Sequence, residues 1–234
     1  MKIEICSNSF ASALAAQNAG ADRIELCTQL SVGGLTPSYG LIAKIKEELT
    51  IPIHVLIRPR AGDFNYTKSE LDIMIRDTEF CKDLGCAGVV SGVLQEDLSL
   101  DVSPTKQLMQ AAGSLEFTFH RAFDLVPNAS ETLRVLEQLG VTRILSSGQK
   151  NKAIDGIETL KMLLKISEGI QLMPGSGINL DNALDFKEAG FEMIHFSAIS
   201  KVNAPHKPKG VSFNEGIEGI SDENVIRQII ALVH

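Results

Sequence analysis

One phrase recurs four times along the chain: a helix-like run ends in glycine, and a short apolar run begins about three residues later. It reads Ala19-Gly20-Ala21-Asp22-Arg23-Ile24-Glu25-Leu26, then Leu84-Gly85-Cys86-Ala87-Gly88-Val89-Val90. It returns as Leu139-Gly140-Val141-Thr142-Arg143-Ile144-Leu145 and as Ala189-Gly190-Phe191-Glu192-Met193-Ile194-His195-Phe196. Glycine is the residue that ends helices in the left-handed conformation, and a short apolar run bounded by turn signals reads as a buried strand. Each phrase is therefore the junction from a helix into a parallel strand.

Further strands are expected at Ile3–Cys6, Ile53–Ile57, Leu115–His120 and Ile170–Met173. Helical spacing fills Ser9–Ala19, Ser38–Leu49, Lys68–Leu84, Ser103–Ala112, Ser130–Leu139, Ile154–Ser167, Asp181–Ala189 and Asp222–Val233. Thr36-Pro37 and Ser103-Pro104 place proline in a first helical turn, and Asn179 and Ser221 suit N-caps. Strict alternation of strand and helix implies a parallel sheet. Eight repeats in 234 residues fit a single (β/α)8 TIM barrel spanning 1–234 better than an open sheet. Residues 201–220 read as an irregular loop before the C-terminal helix.

Alternation within the strands separates their faces. Ile3, Ile5, Ile24, Leu26, Ile53, Val55, Ile57, Phe117, Phe119, Ile194 and Phe196 form the apolar set, which must meet the helices. The other set turns to the barrel axis: Glu4, Cys6, Glu25, Cys27, His54, Arg58, Glu116, His120, His195 and Ser197. Buried charges require partners, so pairing of the glutamates with Arg23 and Arg58 would plug the barrel. Polar residues at the C-terminal strand ends point to function, because barrel active sites lie on that face.

Composition narrows the function. The chain has 22 Lys and Arg against 29 Asp and Glu, a net charge of -7, and 44% hydrophobic residues. An acidic chain of ordinary hydrophobicity does not suit a nucleic-acid coat or a polybasic membrane anchor. No run of 18 apolar residues is present to span a bilayer, and the first residues read as a strand and not as a signal peptide. A cytoplasmic protein is expected, with four sparse cysteines more suited to buried thiols or ligands than to disulfides.

Four constellations carry candidate chemistry. In His54-Val-Leu-Ile-Arg58-Pro-Arg60-Ala-Gly-Asp63-Phe, Arg58 and Arg60 suit a carboxylate or phosphate, or Arg60 and Asp63 form a surface pair. In Thr118-Phe-His120-Arg121-Ala-Phe-Asp124, His120 would act as acid or base with Asp124 fixing its tautomer, beside Glu25 and His195. In Met173-Pro-Gly175-Ser-Gly177-Ile-Asn179, Gly175 and Gly177 would let backbone N–H groups meet an anion at a helix N-terminus, with Ser197 next door and Ser147 adding a hydroxyl. Cys6 and Cys27 end adjacent strands on the same face, where two sulfurs could hold one soft ion or could simply be buried packing.

Taken together, Arg23-Ile-Glu25-Leu-Cys27, Gly33-Gly34-Leu35-Thr36-Pro37-Ser38-Tyr39-Gly40, the Arg58-Pro-Arg60-x-Gly62-Asp63-Phe64 run, His120-Arg121-Ala-Phe-Asp124, Ser147-Gly148-Gln149 and Met173-Pro-Gly175-x-Gly177 resemble the CutC copper-homeostasis family. The resemblance spans about residues 2–200. It implies a TIM barrel, a cytoplasmic location, homodimers or larger homo-oligomers, a role in copper tolerance, Cu(I) bound at Cys6 and Cys27, and no organic cofactor. The residues themselves keep a second reading open: an enzyme that acts on a small anionic substrate through His120, Asp124, Arg58 and the Gly175–Gly177 loop.

Overall fold

A computed structural model describes residues 1–200 and 219–234; most of the expected loop at 201–220 lies outside the described residues. Eight strands run through the chain: β1 (Lys2–Ser7), β2 (Arg23–Leu26), β3 (Ile53–Leu56), β4 (Gly88–Ser91), β5 (Glu116–Phe119), β6 (Arg143–Ser146), β7 (Gln171–Pro174) and β8 (Met193–Phe196). They alternate with α1 (Phe10–Ala19), α2 (Tyr39–Glu48), α3 (Lys68–Asp83), α4 (Val102–Ala112), α5 (Ala129–Leu139), α6 (Ile157–Ile166), α7 (Ala183–Glu188) and α8 (Glu223–Val233). The strands are parallel, in the order β7-β6-β5-β4-β3-β2-β1-β8. One parallel bridge between Gly175 and His195 joins the two ends, so the sheet wraps into the expected (β/α)8 barrel.

Local sequence explains the boundaries. The four repeated glycines, Gly20, Gly85, Gly140 and Gly190, all take positive φ, between 74° and 90°, the region closed to most side chains. Ser9 caps α1 by accepting the Ser12 N–H, and Thr67 with Glu70 forms a full capping box on α3. Three expectations are corrected. Pro37 precedes the Ser38 cap of α2 instead of entering its first turn. Asp222, whose carboxylate accepts from Asn224 and Val225, caps α8 in place of Ser221. Helix α7 starts at Ala183, with Asn182 and not Asn179 before it.

The parity argument holds in the packing. Ile3, Ile5, Ile24, Leu26, Ile53, Val55, Ile57, Phe117, Phe119, Ile194 and Phe196 share one core with residues of the helices. Two smaller apolar clusters are separate from it: Cys6, Cys27, Leu56 and Val90, and Leu145, Met173 and Met193. Charged groups occupy the rest of the interior. Glu4 is fully buried and bonds to Arg23 on one side and to His195 Nδ1, at 2.7 Å, on the other. The Arg23 guanidinium also reaches the sulfurs of Met193 and Met173.

Toward the N-terminal strand ends a second cluster gathers on Glu116. Its Oε2 lies 2.8 Å from Arg143 Nη2, 3.3 Å from His54 Nε2 and 3.6 Å from Arg23 Nη1. Arg58, expected to help neutralise the interior glutamates, is not part of either cluster; Arg143 takes that place. Gly88 makes room for the cluster: a Cβ there would sit 2.6 Å from the His54 ring.

These contacts set an acid limit on stability. The His54 hydrogen bond, against a smaller opposing effect of burial and aided by Arg143, holds Glu116 down to about 2. A carboxylate with a depressed folded pKa contributes its full stabilisation above the ordinary glutamate value of about 4.3, and loses it as pH falls toward the folded value. Urea unfolding of wild type and Glu116→Gln should therefore differ most above about pH 4.5 and converge by about pH 2. A gap that stays constant across that window would show that Glu116 does not hold the cluster by charge.

Candidate functional site

The C-terminal strand ends open into a cavity of about 390 Å³ lined by Cys6, Glu25, Arg58, Phe64, His120, Arg121, Gly177, His195 and Ser197 among others. The sulfur side is built by register. Cys6 on β1 stands beside Glu25 on β2, and Cys27 follows β2 by one residue. The Cys6 and Cys27 sulfurs are 3.5 Å apart, and Glu25 places a carboxylate oxygen within 4.8 Å of both. All three residues are buried. His195 on β8 completes this side, with Nε2 3.7 Å from Glu25 Oε2 and Nδ1 on Glu4.

The electrostatics of that side follow from burial and neighbours. Burial disfavours the His195 cation, but Glu25, Cys6 and Glu4 around the ring outweigh it and push its pKa well above the ordinary value. Burial opposes ionisation of Glu4 too, and there His195 and Arg23 win and hold the carboxyl far below its usual range. For Glu25 burial prevails and its pKa rises. The Cys6 thiol is pushed up by its contact with Cys27 and by burial.

His120 and Arg58 also line the cavity. His120 is buried, and its Nδ1 accepts the Ala122 N–H at 3.2 Å. Burial, helped by the nearby Arg58 cation, lowers its pKa to about 3, so the ring is neutral at pH 7. Arg58 donates to the carbonyls of Val32 (2.7 Å), Gly34 (2.9 Å) and Gly62 (2.9 Å), tying the loops after β2 and β3 together. Phe64 lies against both, its ring centroid 4.7 Å from that of His120 and 5.0 Å from the Arg58 guanidinium carbon.

Several expected roles are not met. Asp124 makes no bond to His120. It accepts from Arg121 Nε (2.8 Å), Ser146 Oγ (2.6 Å), both donors of Ser147 and the Gln149 N–H; sequence proximity suggested a pair that the helical turn after β5 separates. Ser147 is consumed by the same network and by Lys150 O. Arg60 is held by Glu70 and Asp63, the surface pairing being the outcome, and it does not line the cavity. The Gly175 N–H bonds to Ser146 O at 3.0 Å, and an added Cβ there would strike Leu145 and His195, so this glycine serves barrel closure. Gly177 and Ser197 do line the cavity. Yet residues 178–182 separate Gly177 from α7, a helix of six residues, so this loop does not open directly into a helix N-terminus as expected. Phe64 and Arg121 were missed as cavity residues; the only sequence signal for Phe64 was its place at the end of the Arg58-to-Asp63 run.

Comparisons with known proteins bear on the family and the fold. The family model described as CutC family matches residues 1–200. The chain belongs to the CutC family. The family protein CutC of Salmonella agona is 41% identical over 218 residues, covering 92% of this chain and 88% of that one. A solved structure of a candidate copper homeostasis protein CutC from Streptococcus agalactiae is 33% identical, with a TM-score of 0.80 over 84% of this chain and 98% of that one. The structure of 3-hexulose-6-phosphate synthase from Salmonella typhimurium, 17% identical with a TM-score of 0.66 and covering 100% and 98% of the two chains, shares the fold. Among the described residues of this CutC chain, no helix is long and apolar enough to cross a membrane.

The Asp124 network predicts its own cost. Replacing Asp124 by Asn keeps the shape but turns an NH2 group toward donors, leaving Arg121 and the Ser146–Gln149 loop short of a charge. Breaking one partner of a buried charged pair costs about 3–5 kcal/mol; the Asp124 side chain is buried and that of Arg121 is half-exposed, so we expect a loss near the low end, about 3 kcal/mol. Chemical denaturation measures it. A change below about 0.5 kcal/mol, the range of ordinary surface substitutions, would show that the loop does not depend on this carboxylate.

Proposed function

We propose that this CutC chain binds one Cu(I) ion through Cys6 and Cys27 and takes part in cellular copper handling. The observation that carries the reading is the 3.5 Å separation of the two sulfurs, that of Cys6 lining a cavity open to the C-terminal face of the barrel and that of Cys27 buried behind it. Thiolates are the soft ligands that select Cu(I) over harder ions, and adjacent parallel strands hold the pair without any loop having to close. The relative described as a candidate copper homeostasis protein supports the same metal. Copper here is cargo: it enters from the cavity, and a reducing cytoplasm, where all four cysteines stay free, keeps the sulfurs available.

Binding requires the thiols to lose protons. Cys6 holds its proton more tightly than an ordinary thiol, so the ion must displace that proton as it binds. The charged groups beneath, Glu4, His195 and Arg23, fix the Cys6 and Glu25 strands in place. The acid–base pair of His120 with Asp124, the centre of the alternative enzymatic reading, is not formed, so that reading loses its mechanism in the form expected.

Competitive Cu(I) titration under reducing conditions tests the proposal. Wild type should bind one ion per chain. Cys6→Ser and Cys27→Ser should each weaken binding by more than the 10–100-fold that loss of a merely supporting group costs. Cys81→Ser and Cys86→Ser, which change thiols in the α3–β4 region, should bind as wild type does. Equal affinity in wild type and in both site variants would overturn the assignment.

A further inference from the structure

Two unmet needs meet in the lining of the cavity. The first is a hydrogen bond. His120 Nδ1 accepts the Ala122 N–H, and Gly92 packs against that edge of the ring, where a Cβ would lie 2.7 Å from Nδ1. A neutral imidazole whose Nδ1 accepts must carry its proton on Nε2. That Nε2 is buried and has no partner among the described residues, although the ring lines the cavity. A buried donor left unpaired costs about 1–3 kcal/mol, and in a native fold it calls for a partner such as water, an ion or a ligand that accepts from it.

The second need is a charge. Arg58 is buried, at 5% exposure, and among the described residues its guanidinium donates only to the carbonyls of Val32, Gly34 and Gly62. Among the described residues no carboxylate lies within ion-pair distance of it, whereas every other buried arginine there, Arg23 and Arg143, reaches Glu4 or Glu116. Buried charges ordinarily carry a counter-charge. Arg58 also lines the cavity, and Phe64 packs against it and against His120.

We propose that the cavity binds a small carboxylate-bearing molecule whose carboxylate accepts the His120 Nε2–H and supplies the counter-charge that Arg58 lacks. The two needs have opposite origins, one a neutral donor and the other a full cation, and a single anionic oxygen acceptor satisfies both. Apolar side chains, Leu30, Leu56, Phe64, Ile178 and Phe196 among them, make up much of the cavity lining, so the group behind the carboxylate is short and largely apolar. A volume of about 390 Å³ falls at the small end of ligand pockets. The sulfurs play no part, so this site and the copper site succeed or fail separately.

The experiment uses butyrate, its neutral isostere butyramide, and phosphate at matched ionic strength, on metal-free protein. Histidine 15N NMR reads the His120 Nε2–H, assigned by its absence in His120→Gln. Butyrate should shift that resonance saturably, and butyramide should need at least about tenfold higher concentration, because hydrogen bonds to a charged acceptor are roughly twice as strong as neutral ones and Arg58 adds its attraction. The Cys6→Ser/Cys27→Ser double variant should respond as wild type does. Should His120→Gln fail to fold, thermal shifts of wild type make the same comparison: butyrate raises Tm by mass action and butyramide does not. Three results would overturn the proposal. They are no response of His120 or of Tm to butyrate, butyramide acting as well as butyrate, or phosphate saturating the site while butyrate does not.

Discussion

A carboxylate buried at the centre of a barrel is the constraint around which this molecule is arranged. Glu4 has no exposed surface, and an uncompensated carboxylate there would cost far more than the net stability of a domain can spare. Arg23 from β2 and His195 from β8 both bond to it, so three adjacent strands are tied together through their inward side chains as well as through their backbones. Glu25 and Cys6 beside the ring, together with this Glu4 contact, outweigh burial and push the His195 pKa well above the ordinary value. Charge therefore propagates upward: Glu4 fixes His195, and His195 faces the Glu25 and Cys6 side chains at the cavity floor. Arg23, reaching down to Glu116, links the same network to the opposite end of the barrel.

The two walls of the cavity differ in chemical softness. One offers polarisable sulfur beside a cation, Cys6 and Cys27 next to His195. The other offers nitrogen donors beside an aromatic ring, His120 and Arg58 next to Phe64. Fixed strands carry both walls, so neither has to be assembled by a moving loop. Arg58 has a second use, since the carbonyls it engages lie on the loops after β2 and β3; the same side chain shapes the rim and charges the interior.

Much of this was legible in the sequence because period-two alternation is strict in a barrel strand. Glu4, Cys6, Glu25, His54, His120 and His195 could be assigned to the axis from Ile3, Ile5, Ile24, Ile53, Phe119 and Ile194 alone, since one face of each strand must meet the helices. The left-handed glycines were legible for a similar reason: glycine is the residue that takes the positive φ of Gly20 or Gly140 without steric cost. What escaped was pairing across distance. Arg143 looked like a polar start to a buried run, and nothing local says that its partner is Glu116 on the neighbouring strand. Asp124, four residues after His120, suggested a pair by proximity, but the turn that follows β5 points its carboxylate at Ser146 and Ser147. Arg60 was captured by Glu70, ten residues on, through the α3 capping box that also binds Thr67. Loop geometry was the remaining gap. Gly175 and Gly177 were read together, but one packs against Leu145 where the barrel closes and the other faces the cavity.

The central claim is that Glu4 holds His195 as a cation and thereby orders the floor of the cavity. The direct test is an NMR pH titration of the His195 ring in wild type and in Glu4→Gln. The account predicts that wild-type His195 stays protonated well above the ordinary histidine value of about 6.5, and that in Glu4→Gln its midpoint falls by more than one pH unit, which corresponds to about 1.4 kcal/mol of lost interaction. A wild-type midpoint near 6.5, or one that Glu4→Gln leaves unchanged, would contradict it.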